Sequence, residues 1–412
     1  MIHKEKSSCR ICGSPRLELF LSFGPTPLAN AFLRAENEFA AEAKLPLDVY
    51  FCTSCSLVQL LEVVNPEILF RDYIYLSGTS ETMAAHNERY AAEVIALLNL
   101  EPGEQVYEIG SNDGGLLKCF QRSKIRTLGV EPATNIARLA NSGGVETLND
   151  FFNGVTAARV LRSYGTARAV IANNVLAHVD GTVDFLRGGK QLLTPDGLVI
   201  IEVPYLRELI DRLEYDTIYH EHLSYFSVAS LIRLCDEVGL AIVRIDRVSV
   251  HGGSLRMYAG STRHYGGHSP AVKAWAAEEG RAGFRDLDLY RRFAERVRVN
   301  RRQLVGLLES LRNDGRTIAG YGAPAKGNTL LNYCRIDRTL LPFTVDKSPL
   351  KVGLFTPGMH IPVLPVSALR ERRPDYALVL AWNFADEIMR QQSEYRALGG
   401  RFIIPIPEPK VV

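Results

Sequence analysis

Two rhythms of apolar and polar positions run along the chain. From Ser80 to Leu98 the apolar residues recur at helical spacing, and the pattern ends before Pro102-Gly103. Short apolar runs then follow at Gln105–Ile109, Leu128–Val130, Ala169–Ala172 and Leu198–Val203, separated by stretches long enough for helices. That alternation predicts strands of a parallel sheet covered by helices. Leu240–Ala259 reads as two further strands, broken at Gly252-Gly253 and closing the sheet as an antiparallel hairpin. Residues 271 to 313 are helical and charge-rich up to Asn313-Asp-Gly315, which predicts a solvated connecting helix. A second alternation begins with strand Thr317–Gly322, a turn over 323–328 and a helix from Thr329 to Cys334. Strands around Phe343–Asp346, Tyr376–Leu380 and Arg401–Pro405 complete a small parallel sheet.

Composition bounds the answer. At 412 residues the chain exceeds one core, so two or three domains are expected. Apolar content of 46% and charged content of 23% are ordinary for a globular protein. A net charge of +2 gives no electrostatic case for a nucleic-acid polymer or an anionic membrane as partner. No apolar run approaches ~18 residues, and the start MIHKEKSSC lacks the apolar core of a signal peptide. The expected compartment is the cytoplasm, where Cys119, Cys235 and Cys334 stay reduced thiols. The sequence leaves the number of associated chains open, with a monomer as the simplest expectation.

The other four cysteines form a spaced set. Cys9-x-x-Cys12 and Cys52-x-x-Cys55 each offer two thiolates on a tight turn, and two such knuckles complete a tetrahedral S4 zinc site. With no open position the zinc is structural. The 39 residues between the pairs exceed the common spacing, so Phe23–Asn30 is expected to loop out.

Gln105–Leu117 is a strand running into a Glu-x-Gly-x-x-x-Gly turn, not the Gly-x-Gly-x-x-Gly of dinucleotide folds. A pyrophosphate at a helix N-terminus disfavours acid there. S-adenosylmethionine carries a sulfonium and an ammonium instead, so Glu108 and Asp113 beside Gly110 and Asn112 suit it. One strand later Glu131-Pro132 ends a strand, where an acid pairs with ribose hydroxyls. Asn173, Asn174 and His178 end the next one. In the C-terminal part, Gly320, Gly322 and Gly327 with Lys326 suit phosphate, and Lys347 and Lys351 after Asp346 suit an anionic ligand; scaffold and NAD remain alternatives there. The densest chemistry lies in Tyr215–Phe226, with two histidines, two carboxylates and three tyrosines. Its His-Glu-His order is not the metalloprotease pattern, because Ser224 stands where the second histidine would be. Tyr73 and Tyr75 precede small hydroxyl residues and either line a ligand or pack an edge.

Taken in order, these motifs with Tyr-His-Glu-His-x-x-Tyr-Phe-Ser and His-Gly-Gly-Ser-Leu-Arg make a chain that resembles the sugar C-methyltransferases of deoxysugar pathways, over essentially its whole length. The nucleotide-4-keto-6-deoxyhexose 3-C-methyltransferases are the type. The resemblance implies three α/β-class units: a zinc-binding unit (1–70), a class I methyltransferase Rossmann-like domain for S-adenosylmethionine (71–265), and a C-terminal Rossmann-like domain (266–412). A nucleotide sugar, expected to be dTDP-linked, is held between the last two. By resemblance the base falls on His222, with Tyr219 and Glu221 beside it, a second active-site histidine on His178, and a tyrosine on Tyr73 or Tyr75. His220, Ser254, Arg256, Tyr321, Lys326, Lys347 and Lys351 are the candidate substrate contacts. Ser77-Gly78-Thr79-Ser80 stands where antibiotic-pathway members carry paired serines, which leaves the sugar's identity open. The expected chemistry is removal of a C3 proton by His222, with Tyr219 or His178 on the C4 enolate oxygen. An O- or N-methyltransferase and a non-methylating sugar-nucleotide or NAD protein are the rivals.

Overall fold

The computed structural model describes residues 2–71, 81–248 and 253–412. The N-terminal unit begins with β1 (His3–Glu5), β2 (Leu17–Pro27), β3 (Lys44–Cys52), β4 (Val58–Leu60) and β5 (Glu62–Val64). In β3 the alternation is clean: Leu45, Leu47, Val49 and Phe51 face inward and the residues between them outward. Strands β2, β3 and β4 form an antiparallel sheet, and β1 pairs with β5. The expected loop over Phe23–Asn30 is instead mostly strand, because Thr26 and Pro27 stay in register with Leu45 and Lys44.

The middle of the chain supplies β6 (Gln105–Ile109), β7 (Arg126–Val130), β8 (Thr147–Leu148), β9 (Ala167–Asn173), β10 (Leu193–Pro204), β11 (Ser224–Tyr225), β12 (Leu240–Val248) and β13 (Ser254–Ser261). Seven of these build one sheet in the order β12-β13-β10-β9-β6-β7-β8. Strands β6 to β10 are parallel, while β13 runs antiparallel to both β10 and β12. Every residue of β6 is buried, as a central parallel strand covered on both faces requires. The remaining strand, β11, leaves this sheet and pairs with β4 of the N-terminal one.

The C-terminal part contributes β14 (Ile318–Tyr321), β15 (Thr344–Asp346), β16 (Val363–Pro365), β17 (Tyr376–Val379), β18 (Arg401–Ile404) and β19 (Lys410–Val411). Their order, β16-β15-β14-β17-β18-β19, is parallel except for the last pair. Two expectations change. The helix after β14 begins at Ala325 with Pro324 as its N-cap, four residues before Thr329, because the Pro324 carbonyl already accepts the Asn328 N–H at 3.1 Å. The 271–313 stretch is two helices, Pro270–Arg281 and Leu287–Asn313. The second is not a solvated connector: Tyr290, Phe293, Ala294, Val297, Leu304 and Leu308 form a buried stripe.

That stripe belongs to a core that spans units. It joins Leu47 and Val49 of the N-terminal sheet, Tyr215 and Ile218 of the central segment, and Leu330 and Leu378 of the C-terminal part. Among the described residues no helix is long and apolar enough to cross a membrane.

Candidate active site

The carboxyl ends of β6, β7 and β9 open into a cavity of about 810 Å³. A crevice outside the strand ends is where doubly wound sheets hold ligands. Its far walls come from the 204–225 stretch and from Pro324–Lys326 and Ala381–Phe384 of the C-terminal part.

One end is built on the turn after β6. Gly110 has φ +67°, and a Cβ there would come within 2.4 Å of Val175 Cγ2. Only glycine lets this backbone lie against the cavity. Glu131, at the end of β7, accepts from Asn112 N at 2.9 Å through Oε2 and from Ala133 N at 2.9 Å through Oε1. Both oxygens are thereby aimed and keep spare lone pairs for hydroxyls. Glu108 is buried, its Oε2 has no hydrogen-bond partner among the described residues, and burial, Glu131 and Asp113 push its carboxyl well above the usual range. A buried acid lacking a donor suits a ligand that brings positive charge, so these residues fit S-adenosylmethionine. Gly110, Asn112, Asp113, Pro132, Asn173 and Asn174 line the same end, with Asn173 Oδ1 accepting from Tyr90 Oη at 3.1 Å. Phe151 and Phe152 line it too and went unread in the sequence, although they follow β8 and the strand-end rule points to them.

The other end is built on the 215–226 segment. His222 Nδ1 lies 2.8 Å from the Thr217 carbonyl, which can only accept, so Nδ1 carries the proton. Nε2 is then the basic atom, and Tyr219 Oη donates to it at 3.0 Å. The ring of His178 packs edge-on against that of His222, centroids 4.8 Å apart. Leu223 N donates to Ala177 O at 2.8 Å and ties the two segments together. Burial pushes His178 down to about 4, so its imidazole is neutral, and its Nδ1 has no partner among the described residues. Glu221 is pushed up to about 7 by burial, against a 2.7 Å hydrogen bond from Asn30 Nδ2. Asn30, in the turn after β2, carries no local sequence signal for this role, because its partner lies 191 residues away.

Other expected contacts fall elsewhere. His220 borders the cavity, but its Nε2 donates to Pro46 O at 3.1 Å. Arg256 lies opposite Glu202 on the neighbouring strand, pairs with it at 3.0 Å and with Glu93 at 3.1 Å, and stacks on Tyr90. With Ser254, two residues earlier on the same strand, it lies inside the sheet and outside the cavity wall. Tyr321, Lys347 and Lys351 are also off the wall: Tyr321 Oη accepts from Gln392, Lys347 donates to Gln391, and Lys351 to Ala323 O at 2.8 Å. Asp346 takes the Ala323 N–H at 2.7 Å and Val345 the Gly322 N–H at 2.6 Å, so these donors of the glycine turn are already used. Gly320 and Gly327 instead make room for Thr344 and Leu380. Lys326 does reach the cavity, over the Trp382 ring and in the field of Asp216 and Glu214. Trp382 Nε1 donates to Asp216 Oδ2 at 2.6 Å, a contact between residues 166 positions apart with no local sequence signal. Tyr73 and Tyr75 lie outside the described residues.

Away from the cavity, Cys9, Cys12, Cys52 and Cys55 bring their sulfurs within 4.8 Å of one another. A tetrahedral zinc thiolate site with bonds of ~2.3 Å spaces its sulfurs at about 3.8 Å, so the four thiols fit the ion.

Family models match residues 9–70 as a zinc binding domain, 83–245 as a methyltransferase domain and 249–407 as a C-methyltransferase C-terminal domain. The chain is 39% identical to C-methyltransferase NovU of Streptomyces niveus over 407 residues, covering 98% of this chain and 96% of that one. Solved structures with some likeness include magnesium protoporphyrin IX methyltransferase (ChlM) from Synechocystis PCC 6803 with bound SAM. It shows 15% identity and a TM-score of 0.33, covering 43% of this chain and 79% of that one. The Burkholderia thailandensis 1,6-didemethyltoxoflavin-N1-methyltransferase gives 23% and 0.32, over 42% and 77%. The chain belongs to the S-adenosylmethionine-dependent C-methyltransferase family and is an enzyme of that class with a structural zinc site.

Proposed function

We propose that the acceptor is a nucleotide-linked 4-keto-6-deoxy sugar, carried on thymidine diphosphate, and that the methyl group goes to its C3. The observation carrying this reading is a histidine–tyrosine cluster on the same cavity as the Glu108–Glu131 turn. Carbon becomes nucleophilic only after losing a proton, and a neighbouring ketone makes that proton acidic. S-adenosylmethionine, when bound, supplies the electrophilic methyl. On this reading His222 Nε2 takes the C3 proton, since Nδ1 is committed to Thr217 O. Tyr219 swings its hydroxyl from Nε2 to the C4 oxygen as charge develops there. Neutral His178 adds a second hydrogen bond without adding charge, and Glu221, steadied by Asn30, holds a sugar hydroxyl. Glu108, Asp113 and Glu131 hold the donor, and Lys326 serves the nucleotide side of the acceptor. We divide these tasks among units at 1–70, 71–265 and 266–412, and the unpaired thiols of Cys119, Cys235 and Cys334 fit a reducing cytoplasm.

The test is a screen of nucleotide 4-keto and 4-hydroxy sugars with the methyl donor, reading mass gain on carbon. Transfer only to ketones is expected; equal transfer to 4-hydroxy sugars means methylation on oxygen. His222→Asn should lose about 10²- to 10⁴-fold in rate and stop exchange of the C3 hydrogen with solvent deuterium. Exchange at the parent rate would remove His222 from the base role.

A further inference from the structure

We infer that Arg10, in the turn between two zinc-ligand cysteines, is a positioning residue that sets where the His178 segment sits. This rests on the reading that His178 works in the reaction. Arg10 lies between Cys9 and Cys12, and its side chain is fully buried. A guanidinium is tolerated inside only when paired and hydrogen-bonded. Its Nε pairs with Asp180 Oδ1 at 3.3 Å, and its Nη1 donates to Gln59 Oε1 at 3.3 Å and to the Leu60 carbonyl. Gln59 Oε1 also accepts from the Arg10 backbone N at 3.1 Å.

Asp180 is the informative partner. It lines the reaction cavity and follows His178 by two residues. Lys4 and Lys6 reach it at 2.8 and 3.2 Å, and both are more exposed than Arg10. Just beyond, Thr182 Oγ1 donates to the Arg10 carbonyl at 3.4 Å. The short stretch from Ala177 to Thr182 is therefore gripped twice: Leu223 N holds Ala177 O, and Arg10 holds Asp180 and Thr182. The first grip comes from the 215–226 segment, the second from the metal knuckle. On one side Nη1 is hydrogen-bonded to Gln59 and Leu60, and on the other Nε faces Asp180 as a buried ion pair, so the guanidinium links the knuckle to the 177–182 stretch. Misplacement by about 1 Å far from reacting atoms costs ~10²-fold in rate, which is the size of effect at stake.

The experiment uses the zinc-loaded full chain. Arg10→Met, Arg10→Lys, Asp180→Asn and the Arg10→Met/Asp180→Asn double variant are compared for zinc content, methyl-donor Kd by calorimetry, steady-state constants, and amide hydrogen exchange over residues 174–182. Expected for Arg10→Met are one zinc per chain, donor affinity within about twofold, kcat lower by about 10- to 100-fold, and faster exchange in 174–182. Arg10→Lys should recover only part of kcat, because it keeps the charge without the fork. The double variant should be no slower than the slower single one. Parent kcat and exchange in zinc-loaded Arg10→Met overturn the inference, as do losses that multiply in the double variant. If Arg10→Met fails to load zinc, Asp180→Asn decides: faster exchange over 174–182 upholds the grip, and parent exchange ends it. Should His178→Gln itself turn over at the parent rate, the catalytic reading of the site fails instead, and the exchange data still judge the grip.

Discussion

At the scale of single residues, the buried carboxyl of Glu221 carries a measurable cost. Its folded value of about 7 lies above the ordinary carboxylate value of ~4.3. A group raised by folding adds stability that is full in acid and is lost as pH rises through the folded value. Glu221 should therefore take away on the order of 3 kcal/mol of unfolding free energy between pH 4.5 and 8. Glu221→Gln, which keeps an acceptor for Asn30, should remove that slope. Urea unfolding at several pH values checks it through the difference between parent and variant, which cancels the opposite acid-side loss from His178. Parallel curves from pH 5 to 8 would rule it out. The residue types at this site were legible in the sequence because so many protonatable groups crowd 215–226. Which atom faces which was not, because the His222 tautomer is set by the Thr217 carbonyl. Arg256 shows the opposite failure: a motif arginine suggests an anion, yet strand register places it opposite Glu202.

At the scale of elements, strand-end reasoning located the β6 turn, the end of β7 and the end of β9, since apolar runs and their polar exits are local signals. It was silent where a residue's place depends on pairing far along the chain. Asn30 reaches Glu221 only because β2 stays in register past its bulges, and β11 joins β4 across more than half the described chain before it. The β6 turn offers a direct test. Gly110→Ala puts a methyl against Val175 Cγ2 at a backbone angle that L-residues disfavour by roughly 1–2 kcal/mol. Donor affinity by calorimetry should fall at least about tenfold while the fold persists. Adding Val175→Ala relieves the contact but not the backbone cost, so recovery should be partial. Unchanged affinity in the single variant would mean the turn does not approach the donor.

At the scale of the whole molecule, the 215–226 segment is where the three parts meet. Tyr215 Oη donates to Asn300 and Asp216 accepts from Trp382 on the C-terminal side. Leu223 bonds Ala177 in the middle, while Ser224 and Tyr225 pair with β4 of the N-terminal sheet and Glu221 meets Asn30 in the turn after β2. Two of the zinc thiols, Cys52 and Cys55, sit at the turn that joins β3 to β4, with Cys52 N bonded to Leu57 O and Ser56 N to Cys52 O, and the other two, Cys9 and Cys12, sit between β1 and β2. Since β4 carries β11, loosening that turn should reach the chemistry without touching the donor turn after β6, which rests on the separate seven-stranded sheet. Chelating the zinc should therefore abolish methyl transfer while donor Kd changes by no more than a few-fold. Amide exchange should quicken over 44–64 and 215–226 and stay slow over 105–117 and 126–132. Returning zinc should restore both transfer and protection. Transfer that survives complete loss of zinc, or donor binding lost in step with transfer, would show that the metal does not act through the β4–β11 pairing.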